Sequence, residues 1–181
     1  MNALASSKVA EYLQDRFIAT YLKVGTFQII GDRKVGGNVA SYFCLPDGSV
    51  VHAVTGPANA ATFLSEARWA WEVRKSAQTL STDAVSGDVD KTRLQNEVKK
   101  AHRERYLAAT NPGLLRKRGP NVSAGLLDGA LPQQLPRHVN QQAQVSWLLA
   151  TSPLGRIDEI YPAVWEEILR ERLSSLPVAT R

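Results

Sequence analysis

The sequence predicts an α/β fold with a helical extension at the C-terminal end, and three patterns indicate this class. Residues 39–54 contain two apolar runs joined by a Pro-Asp-Gly turn, which is typical of an antiparallel hairpin. Residues 58–77 then repeat apolar side chains at helical spacing, so a helix is expected to cover the sheet. The same spacing returns at residues 157–169, after a long polar segment, and indicates a separate helical element.

The composition is that of a folded chain. Of the 181 residues, 44% are hydrophobic, and 22 basic residues stand against 17 acidic ones, which gives a formal charge of +5. A disordered chain would combine lower hydrophobicity with higher net charge. Cys44 is the one cysteine, which excludes an intrachain disulfide and a thiolate-rich zinc site, and three dispersed histidines disfavour a histidine metal site. We therefore predict that the protein uses no metal and no cofactor.

The chain divides into three segments of different composition. Residues 1–77 carry the patterns of a partial α/β domain, residues 78–137 combine a polar linker, a basic helix and a loop, and residues 138–181 form a helical segment. The first residues lack the basic and apolar regions of a signal peptide, and the chain has no run of about 18 apolar residues. We expect a cytoplasmic protein without a membrane span, or an exported one if an upstream signal segment was lost.

The N-terminal segment predicts a short amphipathic helix followed by a strand. Ser6 or Ser7 is a candidate N-cap, and Glu11 lies near the third helical position. The apolar positions of this helix are Leu4, Val9, Tyr12 and Leu13. Residues 17–24 are rich in β-branched and aromatic side chains and predict a mostly buried strand that ends at Gly25.

The hairpin is the clearest local pattern in the sequence. Residues 27–30 extend the preceding strand pattern, and residues 32–34 predict a solvated turn. Residues 39–45 and 49–54 are predicted to form the two strands of the hairpin. The proline between them presets φ at the start of the turn that joins the strands. Gly48 supplies the positive φ that such a loop requires.

A polar and basic region follows the helix that covers the hairpin. The apolar face of that helix consists of Phe63, Leu64, Ala67, Ala70 and Trp71. Residues 78–90 are small and polar and predict a linker that ends at an N-cap such as Asp88 or Asp90. Residues 91–109 predict a helix with a narrow apolar stripe. Residues 110–137 contain several prolines and glycines and predict a loop.

Two further helices are predicted near the C-terminus. Residues 139–150 predict a short helix that ends before Pro153. Residues 157–169 contain the better helical face, formed by Ile157, Ile160, Tyr161, Val164, Ile168 and Leu169. Because proline is tolerated in the first turn of a helix, we expect the regular helix to begin between Asp158 and Pro162.

These segments together resemble the later part of a bacterial thioredoxin-like domain. The resemblance covers residues 1–77 and rests on the order helix, strand, Pro-Asp-Gly hairpin and helix. It is carried by Val9-Ala-Glu-Tyr-Leu13, Phe17-Ile-Ala-Thr-Tyr-Leu-Lys-Val24, Asn38-Val-Ala-Ser-Tyr-Phe-Cys-Leu-Pro-Asp-Gly48, Val51-His-Ala-Val54 and Phe63-Leu-Ser-Glu-Ala-Arg-Trp69. The resemblance implies a thioredoxin-like sheet with flanking helices and, in the complete family pattern, a Cys-x-x-Cys pair that exchanges disulfides.

The redox features that the resemblance implies are absent from this sequence. Cys44 lies inside an apolar strand instead of at a helix start, and is expected to be a small buried hydrophobe. The family's cis-proline would fall near Val39, which follows Asn38. The first core strand, expected between the strands at 17–24 and 39–45, is missing as well. We expect that an upstream segment supplies it, that these two parallel strands pair directly, or that another segment fills the gap.

We therefore expect a thioredoxin-like domain without a redox-active dithiol, which serves as a non-catalytic binding or structural module with a protein as its partner. In this interpretation the chain has no catalytic, cofactor-binding or metal-binding residues. The alternative is the downstream part of a thiol-disulfide oxidoreductase whose Cys-x-x-Cys lies upstream of Met1.

Other chemically capable side chains favour structural roles. His52 is expected to be a surface histidine or one whose hydrogen bonds are satisfied. One of Trp69 and Trp71 is expected in the core, while the other seals the C-terminal tail or marks a contact surface. Asp47, Ser49 and His52 are close in sequence, but no pattern aligns them as a hydrolytic triad.

The excess positive charge is concentrated in one region. Residues 91–118 carry nine basic and two acidic side chains, and Arg116, Lys117 and Arg118 are consecutive. Such a region could neutralise phosphates of a nucleic acid. Tyr106 is the one aromatic residue among these charges, and no nucleic-acid motif is present. We therefore favour a solvated basic surface over nucleic-acid binding.

Overall fold

The computed structural model describes residues 3–25, 27–36, 38–79, 91–111, 130–152 and 154–174. In these ranges the chain is a mixed α/β protein with two small antiparallel sheets of two strands each. The elements are a 3₁₀ turn Ala3–Ala5, α1 Ser7–Gln14, β1 Phe27–Ile30, β2 Arg33–Gly36, β3 Ala40–Cys44, β4 Val50–Thr55, α2 Ala60–Thr79, α3 Lys91–Thr110, α4 Gln141–Thr151, α5 Ile157–Ala163 and a π-helical turn Val164–Ile168. The chain forms two compact units, one from Met1–Ala70 with Arg156–Arg181 and one from Trp71–Gly155.

The first helix confirms the amphipathic prediction with one change at its start. Ser6 is the N-cap of α1, but its side chain makes no capping hydrogen bond. Glu11 is the fifth helical residue, too far along the helix to complete a capping box. Val9 is buried at 1% exposure, so the apolar face packs as predicted, whereas Leu4 is 55% exposed.

The prediction of a buried strand over residues 17–24 is wrong. Apart from a single bridge position at Leu22, the segment has no regular secondary structure, and no strand of the described ranges pairs in parallel with β3. The neighbouring residues 27–30 and 33–36 instead form a separate antiparallel hairpin, in which Ile30 pairs with Arg33. The physical reason is that strand formation requires a partner for the backbone N–H and C=O groups, which composition alone does not supply.

The Pro-Asp-Gly hairpin is confirmed. Ala40 pairs with Thr55 and Phe43 with His52, and a bulge follows Phe43. The turn closes when Gly48 N–H donates to the Leu45 carbonyl at 2.9 Å. Gly48 has a φ of +85°, the left-handed conformation that a glycine adopts without steric cost. The first five residues of β4, Val50 to Val54, are buried, which makes β4 the centre of this unit.

The core of the first unit lies on one face of this hairpin. Its fully buried members are Ala3, Val9, Phe43, Val54, Phe63, Ala67 and Ala70. Half-buried residues of α1 and the chain after it, including Tyr12, Leu13 and Phe17, pack against them. The first part of α2 therefore covers the hairpin, as its helical spacing predicts.

Helix α5 begins one residue earlier than the proline rule predicts. Its first residue is Ile157, so Pro162 is the sixth helical residue and not a first-turn residue. One local and one tertiary bond fix the start: Arg156 N–H donates to Glu159 Oε2 at 3.0 Å within the first turn, and Ile157 N–H donates to the Gly48 carbonyl at 2.9 Å. The second bond holds the first turn against the hairpin, which the proline rule does not take into account.

The helix widens beyond Pro162. Leu169 N–H donates to the Val164 carbonyl five residues earlier, the pattern of a π-helical turn. Arg170 then adopts a φ of +57°, and Glu171 N–H donates to the Trp165 carbonyl, so the helix ends in a left-handed cap. The predicted apolar face is present, because Ile160, Val164 and Ile168 are buried, but Ile157 is 36% exposed.

The second unit contains the two helices predicted at residues 91–109 and 139–150. Helices α3 and α4 pack on each other through an apolar cluster of Tyr106, Leu107, Ala143, Leu131, Val139 and Trp147. Asn140 caps α4, because its Oδ1 accepts the Ala143 N–H at 2.8 Å. Residues 130–137 contain no helix or strand, consistent with the loop prediction, while residues 80–90 of the predicted linker and 112–129 of the loop lie outside the described residues.

Candidate functional site

Cys44 carries the one thiol of this chain, but its surroundings disfavour redox chemistry at that thiol. The residue ends β3 and is half-buried, with no disulfide partner in the sequence. Burial, with a smaller contribution from the negative charge of Asp47, raises the pKa of the Cys44 thiol to about 11. A reactive thiol requires the opposite shift, because the thiolate is the nucleophile. Cys44 therefore remains protonated at neutral pH.

We expect Cys44 to react slowly with iodoacetamide at pH 8 in the folded chain. A pKa near 11 leaves about 100-fold less thiolate than the ordinary value of 9.0. Because the unfolded thiol ionises first, the free energy of unfolding should fall between pH 9 and pH 11 and be unaffected by this group below pH 9. Mass spectrometry of alkylation with and without urea tests the first statement, and equal rates in both states would contradict it.

His52 and Glu66 form the most enclosed polar pair of the first unit. His52 on β4 is 0% exposed, and its Nε2 lies 2.7 Å from Glu66 Oε2 on α2. The Phe43 ring stacks on the imidazole at 5.9 Å between centroids, and the Trp69 ring meets it edge-on at 4.7 Å. His52 is therefore a buried residue and not a surface histidine, and its Nε2 is paired with a carboxylate that the sequence analysis did not identify.

The neighbouring turn does not form a hydrolytic triad with His52. Asp47 Oδ1 accepts the backbone N–H of Ser49 at 3.0 Å, so this carboxylate orders the turn. The Nε2 of His52 points to Glu66 on the helix above the sheet. A triad would need the imidazole between a nucleophile and an orienting carboxylate. The arrangement is that of a core hydrogen bond, not of an activated serine.

The two tryptophans of α2 are both half-buried, so neither is a fully enclosed core residue. Trp69 contacts the His52 ring, whereas Trp71 lies under the guanidinium of Arg74, 5.1 Å from the ring centroid. The prediction that one of them lies in the core is met in part by Trp69. Its contact with His52 places it at the border of the first unit's core.

The most unusual surface of the first unit is the segment of residues 17–25, which we call the apolar strap. Its exposed apolar side chains are Ile18, Tyr21 and Leu22, at 100%, 58% and 45% exposure. Single exposed apolar residues are common and need no explanation, whereas a contiguous exposed apolar patch marks a contact surface. These residue types were expected inside a sheet, and the structure places them in solvent.

Both ends of the apolar strap are held to the first unit. At one end, Phe17 N–H donates to the Leu13 carbonyl at 2.7 Å and the Phe17 ring meets Phe43 edge-on at 5.5 Å. At the other end, Ser174 N–H donates to the Val24 carbonyl at 2.7 Å. Gly25 lies against Trp165, since a Cβ at this position would be 3.2 Å from the indole ring. The exposed residues therefore lie on a segment with two fixed ends.

Two other kinds of site, a metal centre and a membrane span, are absent from the described ranges. No group of three or more histidine, cysteine, aspartate or glutamate side chains is placed to hold a metal ion there. No described helix has both the length and the apolar character needed to cross a membrane. The basic cluster Arg116 to Arg118 lies outside the described residues. The chain matches no protein-family model, no curated protein and no solved structure, so its function is inferred from these residues alone.

Proposed function

We propose that residues 1–77 are a thioredoxin-like domain without a redox-active dithiol, and that the protein is a non-catalytic module that binds a protein partner through the apolar strap. The observation that carries the proposal is the exposure of Ile18, Tyr21 and Leu22 on a segment anchored at both ends. Anchoring reduces the conformational entropy that a partner would have to remove on binding. Burial of these side chains would contribute favourable free energy in proportion to the apolar area covered.

The thioredoxin-like assignment is supported by the order of elements and by the hairpin. A helix, an apolar segment, a Pro-Asp-Gly hairpin and a covering helix occur in this order at α1, residues 17–24, β3 to β4 and α2, with the β1–β2 hairpin between the apolar segment and β3. The apolar strap stands where that family carries a strand. Its exposed side chains have the composition of a strand that other parts of a sheet would normally bury. This composition favours a role for the strap in binding another protein.

Two matched double variants test the docking surface. We expect Ile18→Ser with Leu22→Ser to abolish retention of a defined partner on immobilised protein. Ile29→Ser with Ile30→Ser on β1 should preserve it, because these two residues are also exposed, at 70% and 62%, but lie outside the strap. Both should leave the free energy of unfolding within about 0.5 kcal/mol of the parent chain, since exposed substitutions have small effects on stability. Equal retention by both variants, or by neither, would argue against the strap.

The absence of catalysis is tested separately with insulin. The purified chain is expected to give no dithiol-dependent reduction of insulin disulfides above the rate with dithiothreitol alone, since its Cys44 thiol is protonated and has no resolving cysteine. The Cys44→Ser variant should behave identically. A rate that depends on Cys44 would overturn the non-catalytic part of the proposal.

The second candidate function is that of a thiol-disulfide oxidoreductase in which a preceding segment supplies Cys-x-x-Cys. The strand-like composition of residues 17–24, exposed in this structure, favours it, because an additional strand would cover those side chains. Sequencing the frame upstream of Met1 separates the candidates. An in-frame strand with Cys-x-x-Cys, and insulin reduction by the longer chain, would support the oxidoreductase, whereas a nearby stop codon would remove it.

A further inference from the structure

The second unit contains a cleft of about 490 Å³ beside α3. It is lined by Lys99, Lys100, Arg103, Ala130, Leu131 and Ala150. The three cationic side chains come from one stretch of α3, and the other lining residues come from residues 130–131 and from the end of α4. One wall of the cleft is therefore positively charged, and the other is small and apolar.

The charges of Lys99 and Lys100 are not neutralised within the described ranges. Helix α3 has six basic side chains and only two acidic ones, Glu97 and Glu104. Within the described ranges, neither Lys99 nor Lys100 forms an ion pair, with these carboxylates or with any other. Lys99 is half-buried and Lys100 is exposed, so neither lysine is enclosed in the core.

We propose that this cleft binds a small phosphate-bearing molecule. The ammonium groups of Lys99 and Lys100, beside the Arg103 guanidinium about one turn further along α3, match the charge and the multiple acceptor oxygens of a phosphoryl group. The cleft is open to solvent and not an enclosed pocket, so it is suited to a small charged ligand held at its surface. Leu131 and the two alanines would contact the uncharged part of the ligand.

The same surface is poorly suited to a nucleic acid strand. Proteins that bind single strands stack bases on accessible aromatic rings. Tyr106, the one aromatic residue of α3, is 4% exposed and belongs to the apolar cluster between α3 and α4. The cleft therefore presents positive charge but no accessible aromatic ring on which a base could stack. This favours a compact ligand over a nucleic acid strand.

The test uses inorganic pyrophosphate as the probe and isothermal titration calorimetry with the full chain. We expect measurable binding by the parent chain and affinity reduced about tenfold or more in Lys99→Gln with Lys100→Gln, because each charge-assisted contact strengthens the complex. The matched control is Lys8→Gln with Lys23→Gln, which removes the same two charges from exposed positions of the other unit. This control should bind as the parent chain does.

A second variant separates the cleft from general electrostatic attraction. Ala150→Leu keeps every charge but narrows the cleft at its apolar wall, so it should weaken pyrophosphate binding while its circular dichroism spectrum remains that of the parent chain. Equal losses in the two lysine pairs would overturn the proposal, as would full binding by Ala150→Leu. An oligothymidylate that binds more tightly than pyrophosphate and responds to the Lys99 and Lys100 changes would also overturn it, in favour of nucleic-acid binding.

Discussion

Phe43→Ala is expected to lower the free energy of unfolding by about 3–5 kcal/mol, the largest effect of any single change considered for this chain. Phe43 is 6% exposed, and its ring contacts Phe17, His52 and Phe63 at centroid distances of 5.5, 5.9 and 5.9 Å. Removing the ring leaves a cavity between the hairpin, α2 and the start of the apolar strap. A small domain has a total stability of only about 5–15 kcal/mol.

Urea denaturation followed by circular dichroism measures this loss. Ile18→Ala is the matched control, because it removes an apolar side chain of similar hydrophobicity that is 100% exposed, and it should change stability by less than about 0.5 kcal/mol. If Phe43→Ala does not fold, Phe43→Leu retains most of the buried volume and should show a smaller loss in the same direction. A stability unchanged by Phe43→Leu and Phe43→Ala would contradict the core described above.

Glu66→Ala is expected to destabilise the chain by about 1–3 kcal/mol, because it leaves the buried His52 imidazole without its carboxylate acceptor. The loss should be recovered in large part by the double variant His52→Phe with Glu66→Leu. Replacing both partners of a buried hydrogen bond with apolar groups of similar shape is nearly neutral in many proteins. Phe43 and Trp69 already provide aromatic surroundings for a phenyl ring at position 52.

A double-mutant cycle over these two positions gives the interaction energy directly. We expect the two single changes to be non-additive by at least about 0.5 kcal/mol, as residues in direct contact usually are. The control pair is His52→Phe with Glu72→Leu, since Glu72 lies on an exposed position of the same helix. Additive effects for His52 and Glu66 would show that the 2.7 Å contact contributes nothing to stability.

The elements that are determined by residues close together in the sequence were predicted well. The hairpin at β3 and β4 follows from alternation and from Gly48, which carries the required positive φ. Helices α2, α3 and α4 follow from the spacing of their apolar residues, and each lies within two residues of its predicted bounds. Ser6 was also identified correctly as an N-cap candidate.

Features that depend on distant partners were not predictable in the same way. Residues 17–24 have strand composition, but a strand exists only where another backbone pairs with it. The start of α5 is set by the Gly48 carbonyl, more than 100 residues earlier in the chain, and not by Pro162. The His52–Glu66 contact joins a strand to a helix, and no spacing rule relates those two elements. The cleft beside α3 depends likewise on the packing of α4 and residues 130–131.

The first unit is assembled from two stretches of chain that are far apart in sequence, and this arrangement has a consequence for how the protein folds. Its contacts include Asn38 Nδ2 with Glu171 Oε1 at 2.8 Å and Arg156 with the Asp47 carbonyl at 2.8 Å. The two stretches of the first unit are separated in sequence by about 85 residues, which form the second unit. Closing an unfolded loop of that length costs about 4 kcal/mol of chain entropy. During synthesis, the hairpin must therefore wait until residues 156–171 have left the ribosome before α5 completes its unit.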